Sequence, residues 1–230
     1  MKIIIFKAII LSFLLSVPIY ADTTIRFEFG KLTNSQSDNI QPNTLWAIIT
    51  QNTAGDLPGG LATDGAFSVT ANIASISSDF AGQTIDVGQQ IGGGDVLAVG
   101  GSFSSPLGEL GSTETLTNDD YTDLGLNAGD KFGLYWFPGR TPTSNTIPIN
   151  TNFEIGGFQR NDASIDSGGE TGMIIPTNGI ELIDITYFDS SITGGDTSFD
   201  DSFQAIVIPE PSVLVLMPIS VFLLLLRRRC

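Results

Sequence analysis

The chain has no histidine, and its one cysteine, Cys230, is the last residue of the sequence. Without an imidazole, a Ser-His-Asp triad, a Cys-His dyad or a His-ligated zinc site cannot be assembled. Carboxylates are abundant instead: 25 Asp and Glu stand against 10 Lys and Arg, a net charge of −15. Two carboxylates flanking a glycosidic bond are enough for hydrolysis, but with so many acids some pair is always near. A solvated acidic surface is the plain reading, and no residue is assigned a catalytic role. The second use of carboxylates is calcium, which takes oxygen ligands from Asp, Asn and backbone carbonyls. The candidate groups are Asn118-Asp119-Asp120 with Asp123, Asp162 with Asp166, and Asp196 with Asp200-Asp201. None has EF-hand spacing, and ordinary Asp and Asn turn chemistry explains each of them. No metal ligand is therefore assigned, and calcium is the one cofactor left open.

Two further features could bind ligands. Trp46 and the run Tyr135-Trp136-Phe137 are the aromatic signals. On a strand, Tyr135 and Phe137 face one way and Trp136 the other. At least one face is expected to be core, and an exposed ring on the other could stack on a sugar. Gly92-Gly93-Gly94-Asp95 precedes the strand-like Val96-Leu97-Ala98-Val99. A dinucleotide fingerprint needs a helix after its glycines, so this is read as a turn.

The elements that must position these residues read as all-β. Thr23 to Phe29 alternates, with Ile25, Phe27 and Phe29 on one face. Further strands are expected at Thr44–Thr50, Ala66–Ile73, Val96–Val99, Lys131–Phe137, Phe153–Phe158 and Ile180–Phe188. Glycine-rich turns are expected at Pro58-Gly59-Gly60, Gly92-Gly93-Gly94, Gly100-Gly101, Gly156-Gly157, Gly168-Gly169 and Gly194-Gly195. The helical options are Ile73 to Phe80 and a short turn near Leu116–Leu124. No repeat is evident. Many short strands with Gly/Pro turns predict a single antiparallel β-sandwich or jelly-roll-like domain.

Both ends of the chain differ from the middle. Residues 1–21 have the layout of a secretory signal peptide. Lys2 and Lys7 lead an apolar run, Pro18 breaks it, and Ile19-Tyr20-Ala21 offers cleavage after Ala21. The body is placed at residues 22–203 and the tail at 204–230. Between Asp22 and Pro209 the chain carries 24 acidic and five basic residues, net −19. Nucleic acid is excluded as a partner, because its binding depends on cationic neutralisation of phosphates. The body has no cysteine, so its stability rests on a hydrophobic core rather than disulfides.

The tail is the most informative stretch. Pro209-Glu210-Pro211 precedes 15 uncharged residues, Ser212 to Leu226, of which eleven are Leu, Ile, Val or Phe. Those eleven supply about −3 to −7 kcal/mol toward bilayer insertion. As a helix the run spans roughly 22 Å, short of the ~30 Å hydrocarbon core. A transmembrane helix at about 212–226 is thus able to insert but is a poor permanent anchor. Arg227, Arg228 and Arg229 form a stop signal that stays on the cytoplasmic side and leaves the body outside. A simple C-terminal anchor with a Pro-Glu-Pro spacer is the plainer alternative.

Motif, hydrophobic helix and basic end together resemble the PEP-CTERM sorting signal of Gram-negative, biofilm-forming bacteria. Pro209, Glu210 and Pro211 match the motif residue by residue, and the apolar run and arginines match in kind and order. Cys230 is not part of that pattern. The resemblance implies recognition of the motif by an exosortase, a transpeptidase-like membrane enzyme with a catalytic Cys, after signal peptidase has acted. It implies transient anchoring in the inner membrane, then release to the cell surface or extracellular matrix, in an exopolysaccharide setting. Within the body, Asn43-Thr44-Leu45-Trp46-Ala47, Gly55-Asp56-Leu57-Pro58-Gly59-Gly60 and Gly129-Asp130-Lys131-Phe132-Gly133-Leu134-Tyr135-Trp136-Phe137-Pro138-Gly139 resemble segments that recur in exported proteins of this kind. The expected function is structural or adhesive, without enzymatic activity. The alternatives are a carbohydrate-binding module, with or without calcium, and a carboxylate-based glycan-active enzyme.

Overall fold

The computed structural model describes residues 22–29, 31–51, 57–61, 64–67, 72–108, 110–149, 151–160, 173–175, 182–187 and 203–209. Among these the chain is mostly β, with two short helices and a 3-10 turn at Pro58–Gly60. A seven-stranded sheet is built from β12 (Ile206–Ile208), β9 (Phe153–Arg160), β8 (Phe132–Phe137), β3 (Leu45–Thr50), β6 (Asp95–Ser102) and β5 (Gln90–Ile91), in that order. Its seventh strand, β4 (Asp64–Ala66), also pairs with β9. Every pairing in this sheet is antiparallel. A three-stranded sheet has the order β10 (Leu182–Tyr187), β1 (Thr23–Phe29), β7 (Leu110–Leu116). A small third pairing joins β11 (Phe203–Gln204) to β2 (Leu32–Thr33).

Two core clusters lie on opposite faces of the large sheet. In the first, Ile25 and Phe29 of β1 and Leu110 and Leu116 of β7 belong with Trp46, Ile48, Leu134, Trp136 and Phe158. In the second, Leu45, Ala47, Ile49, Tyr135, Phe137 and Ile155 belong with Leu57, Leu61, and with Ile76 and Phe80 of α1 (Ile73–Phe80). With both faces covered, every residue of β3 and β8 is buried. Their sequences, LWAIIT and FGLYWF, accordingly lack the alternation of a half-exposed strand.

Several expectations are met and several corrected. β1 has the expected bounds, and α1 forms where a helix was an option. The expected strand Ala66–Ile73 does not extend to Ile73. Asn72 caps the helix there, its side chain accepting from the Ser75 N–H at 3.2 Å. The turn expected near Leu116–Leu124 is a short helix, α2 (Asn118–Asp123). The sheets are not wholly antiparallel, because β1–β10 and β2–β11 run parallel. Tight turns impose antiparallel pairing only on strands adjacent in sequence, and these partners come from opposite ends of the chain. The body boundary drawn between 203 and 204 falls inside paired backbone: β11 spans it, and β12 extends the sheet to Ile208.

Two glycine doublets read as turns lie inside strands instead. Gly100-Gly101 belongs to β6 and Gly156-Gly157 to β9. The cause is a row of four residues across the sheet: Gly101, Trp46, Trp136 and Gly156, paired in that order. Two indoles lie side by side, and each spreads over a strand that offers no side chain. A Cβ on Gly101 would sit 2.8 Å from Cζ2 of Trp46, and one on Gly156 would overlap the Trp136 ring system. Gly92-Gly93-Gly94 is a turn as expected, joining β5 to β6.

Candidate functional site

The aromatic run was the first candidate surface, and the fold places it inside. Trp136, Tyr135 and Phe137 are fully buried and Trp46 almost so. The Trp136 Nε1–H donates to the Thr33 carbonyl at 3.1 Å, and the Tyr135 hydroxyl donates to the Pro58 carbonyl at 3.1 Å. Phe80 and Phe67 close over Tyr135, with ring centroids 5.4 and 6.0 Å away. Burial, and then the nearby Asp95 and Asp79 carboxylates, push the Tyr135 phenol well above its ordinary range. These rings fill the cores on the two faces of the sheet, Trp46 and Trp136 on one and Tyr135 and Phe137 on the other, and none of the four is an exposed stacking platform for a sugar.

Several carboxylates among the described residues serve local structure. Asp120 closes a capping box: its carboxylate accepts from the Thr117 N–H at 2.6 Å and the Thr117 hydroxyl at 2.8 Å. In return, the Asp120 N–H donates to Thr117 Oγ1 at 3.2 Å. That gives Asp120, in the first calcium candidate, a structural role. Asp79 accepts from the Gly59 N–H at 2.6 Å and so ties α1 to the Pro58–Gly60 turn. No three Asp, Glu, Cys or His side chains among the described residues converge to hold a metal. Asp162, Asp166, Asp196, Asp200 and Asp201 lie outside the described residues.

One recess of about 250 Å³ opens beside the Gly100-Gly101 doublet. Leu45, Ile85, Val87 and Pro142 give it apolar walls, and Asp86, Ser102 and Asn145 add polar groups. The Asn145 Nδ2 donates to Asp86 Oδ1 at 2.8 Å. The Ile85 N–H to Asn145 carbonyl bond, at 3.0 Å, holds the two segments in place. The recess is smaller than the roughly 300–1,000 Å³ of ordinary small-molecule sites. Asp86 and Asn145 escaped the sequence reading because they are 59 residues apart and carry no motif.

Of the sorting residues, Pro209 alone is described; it is half-buried and directly follows β12. Ala21, Glu210, Pro211, the expected membrane helix at 212–226 and Arg227, Arg228 and Arg229 lie outside the described residues. Among the described residues, no helix is long and apolar enough to cross a membrane. Gln204 to Ile208, just upstream of the motif, is paired with the body although it falls on the tail side of the expected boundary. The β-branched run Ile206-Val207-Ile208 was the available signal. Comparisons with protein-family models, with curated proteins and with solved structures returned no match for this chain.

Proposed function

We propose that the chain is an exported surface or extracellular-matrix protein, sorted through a PEP-CTERM tail, with a structural or adhesive role in an exopolysaccharide matrix. The observation that carries this reading is the order of parts at the C-terminus. The last sheet strand ends at Ile208, and Pro209-Glu210-Pro211, the apolar run and Arg227-Arg228-Arg229 follow without a spacer. In this reading the signal peptide is removed after Ala21, and an exosortase-type enzyme recognises the tail from within the inner membrane. The body left outside is a two-sheet β-sandwich. A core cluster drawn from both the three-stranded and the seven-stranded sheet supports that architecture.

The test is transfer of residues 209–230 to an inert exported reporter in a host that has the sorting enzyme. The reading expects tail-dependent shortening of the reporter and its appearance at the cell surface. A reporter handled identically with and without the tail overturns it.

A second reading, a carbohydrate-binding module, is favoured by the recess. Asp86 and Asn145 offer an acceptor and a donor for sugar hydroxyls beside the apolar Val87 and Pro142. A glycan array probed with and without chelator tests it. Binding that is lost in Asp86→Ala supports this reading, and an array with no signal removes it.

A further inference from the structure

The residues immediately before the motif are tied down more firmly than a linker to a disposable tail would need to be. Phe203 and Gln204 pair with Leu32 and Thr33. The Phe203 carbonyl accepts from Thr33 Oγ1 at 3.2 Å, and the Ala205 N–H donates to the Thr33 carbonyl at 3.0 Å. The Gln204 amide reaches the Ser35 carbonyl at 2.7 Å and the Ser37 hydroxyl at 3.1 Å. The Phe203 ring packs 4.3 Å from that of Phe158, centroid to centroid. Three residues on, Ile206, Val207 and Ile208 pair with Ile155, Glu154 and Phe153 at the edge of the large sheet. Ala205 is buried in the first core cluster and Ile208 in the second, with Ile206 packed against the second. Six consecutive residues thus cross the edge of the molecule and enter both cores.

The next residue is Pro209, which has no N–H and cannot extend the ladder. One residue therefore separates the last paired position from Glu210. An enzyme that cuts a peptide by acyl transfer must grip extended backbone on both sides of the scissile bond. Here the backbone on the N-terminal side is already committed to β9.

We propose that the strap Phe203–Ile208 gates tail processing: the cut falls C-terminal to Ile208, and it waits until β12 leaves β9. The inference rests on the sorting reading above. In the step it controls, a peptide bond breaks and the body's acyl group passes to the thiolate of the membrane enzyme. The tail departs as a free amine carrying the proton, and water or an amine acceptor then takes the acyl group. No oxidant or reductant is required.

The experiment follows the full chain in a host with the sorting enzyme, by pulse-chase and by intact mass of the surface form. A six-residue Gly-Ser spacer inserted between Ile208 and Pro209 is expected to speed processing about fivefold, with the body unaltered. The converse variant joins β12 to β9. Val207→Cys with Glu154→Cys, in a Cys230→Ser background, places a thiol at each of two directly paired positions in a body that has no other cysteine. Once loss of free thiol confirms the bond, processing is expected to slow at least tenfold. Reductant restores it, and so does adding the spacer to the locked chain. Wild-type processing with unchanged rates in both variants overturns the gate, as does a mature C-terminus upstream of Ile208. A wild-type chain that remains intact through Cys230 overturns the sorting reading itself, and this inference with it.

Discussion

β8 and β7 are both strands of this body, yet they are built to different rules. β8, FGLYWF, is buried along its whole length. β7, LGSTETL, buries Leu110 and Leu116, half-buries Ser112 and Glu114, and exposes Gly111, Thr113 and Thr115. The difference follows from their neighbours. β8 lies inside the large sheet, between β3 and β9, with a core cluster on each face. β7 pairs with β1 and contributes to one cluster. The aromatic residues of β3 and β8 therefore mark the middle of a sheet covered on both faces.

The sharpest way to break this contrast is to empty the centre of β8. Trp136→Ala removes a fully buried indole and leaves the Thr33 carbonyl without that donor. A loss of about 3–5 kcal/mol is expected in urea unfolding of the body, enough to abolish most of a typical domain's stability. Gly156→Ala, opposite Trp136, is the complementary overpacking. A methyl there meets the indole, and the indole cannot move aside without leaving Thr33. About 1–3 kcal/mol is expected to be lost, measured in the same way.

Tyr135→Phe isolates one hydroxyl in the same strand. It keeps the ring in place and strips the Pro58 carbonyl of its donor, at about 1–3 kcal/mol near neutral pH. The pH dependence has a definite sign. The unfolded phenol titrates near the ordinary value of 10.0, and burial raises it in the folded state. Above that ordinary value the unfolded chain gives up a proton that the native chain still holds, so stability falls as pH rises toward the folded value. Tyr121 is shifted in the same direction, mainly by burial. Unfolding midpoints measured from neutral to strongly alkaline pH should fall less steeply in Tyr135→Phe than in the wild type.

The strands legible in the sequence were those with a one-body explanation. β1 shows period-two alternation, and β3 and β8 are apolar or aromatic runs. What stayed hidden depended on partners far away in the chain. Gly156 looks like a turn until Trp136 is seen opposite it. β7 is Ser- and Thr-rich, and its Leu110 and Leu116 are too far apart to give a period. The parallel pairing of β1 with β10 depends on the return of the chain after more than 150 residues. The four aromatic residues were legible as important, but the second layer that covers their outer face was not. Asp120 was legible only as a residue open to calcium or to turn chemistry, and the structure gives its carboxylate a role in a helix capping box. Asp120→Ala should cost about 1 kcal/mol through loss of the capping box, seen as fraying of α2 in amide exchange.

The smallest expected effect turns the comparison around, because it uses the substitution that damages β9. Gly111, on the exposed face of β7, has open space where a Cβ would go and does not adopt positive φ. Alanine fits that backbone and narrows the conformations open to the unfolded chain. Gly111→Ala is expected to leave the unfolding free energy unchanged or raise it by up to about 1 kcal/mol. The same chemical change in β9 is expected to lower it. Opposite signs follow if indole packing is what demands glycine at Gly156. A matching loss at Gly111 would mean that glycine is required by strand backbone in both places, and the four-residue row of glycines and tryptophans would lose its explanatory role.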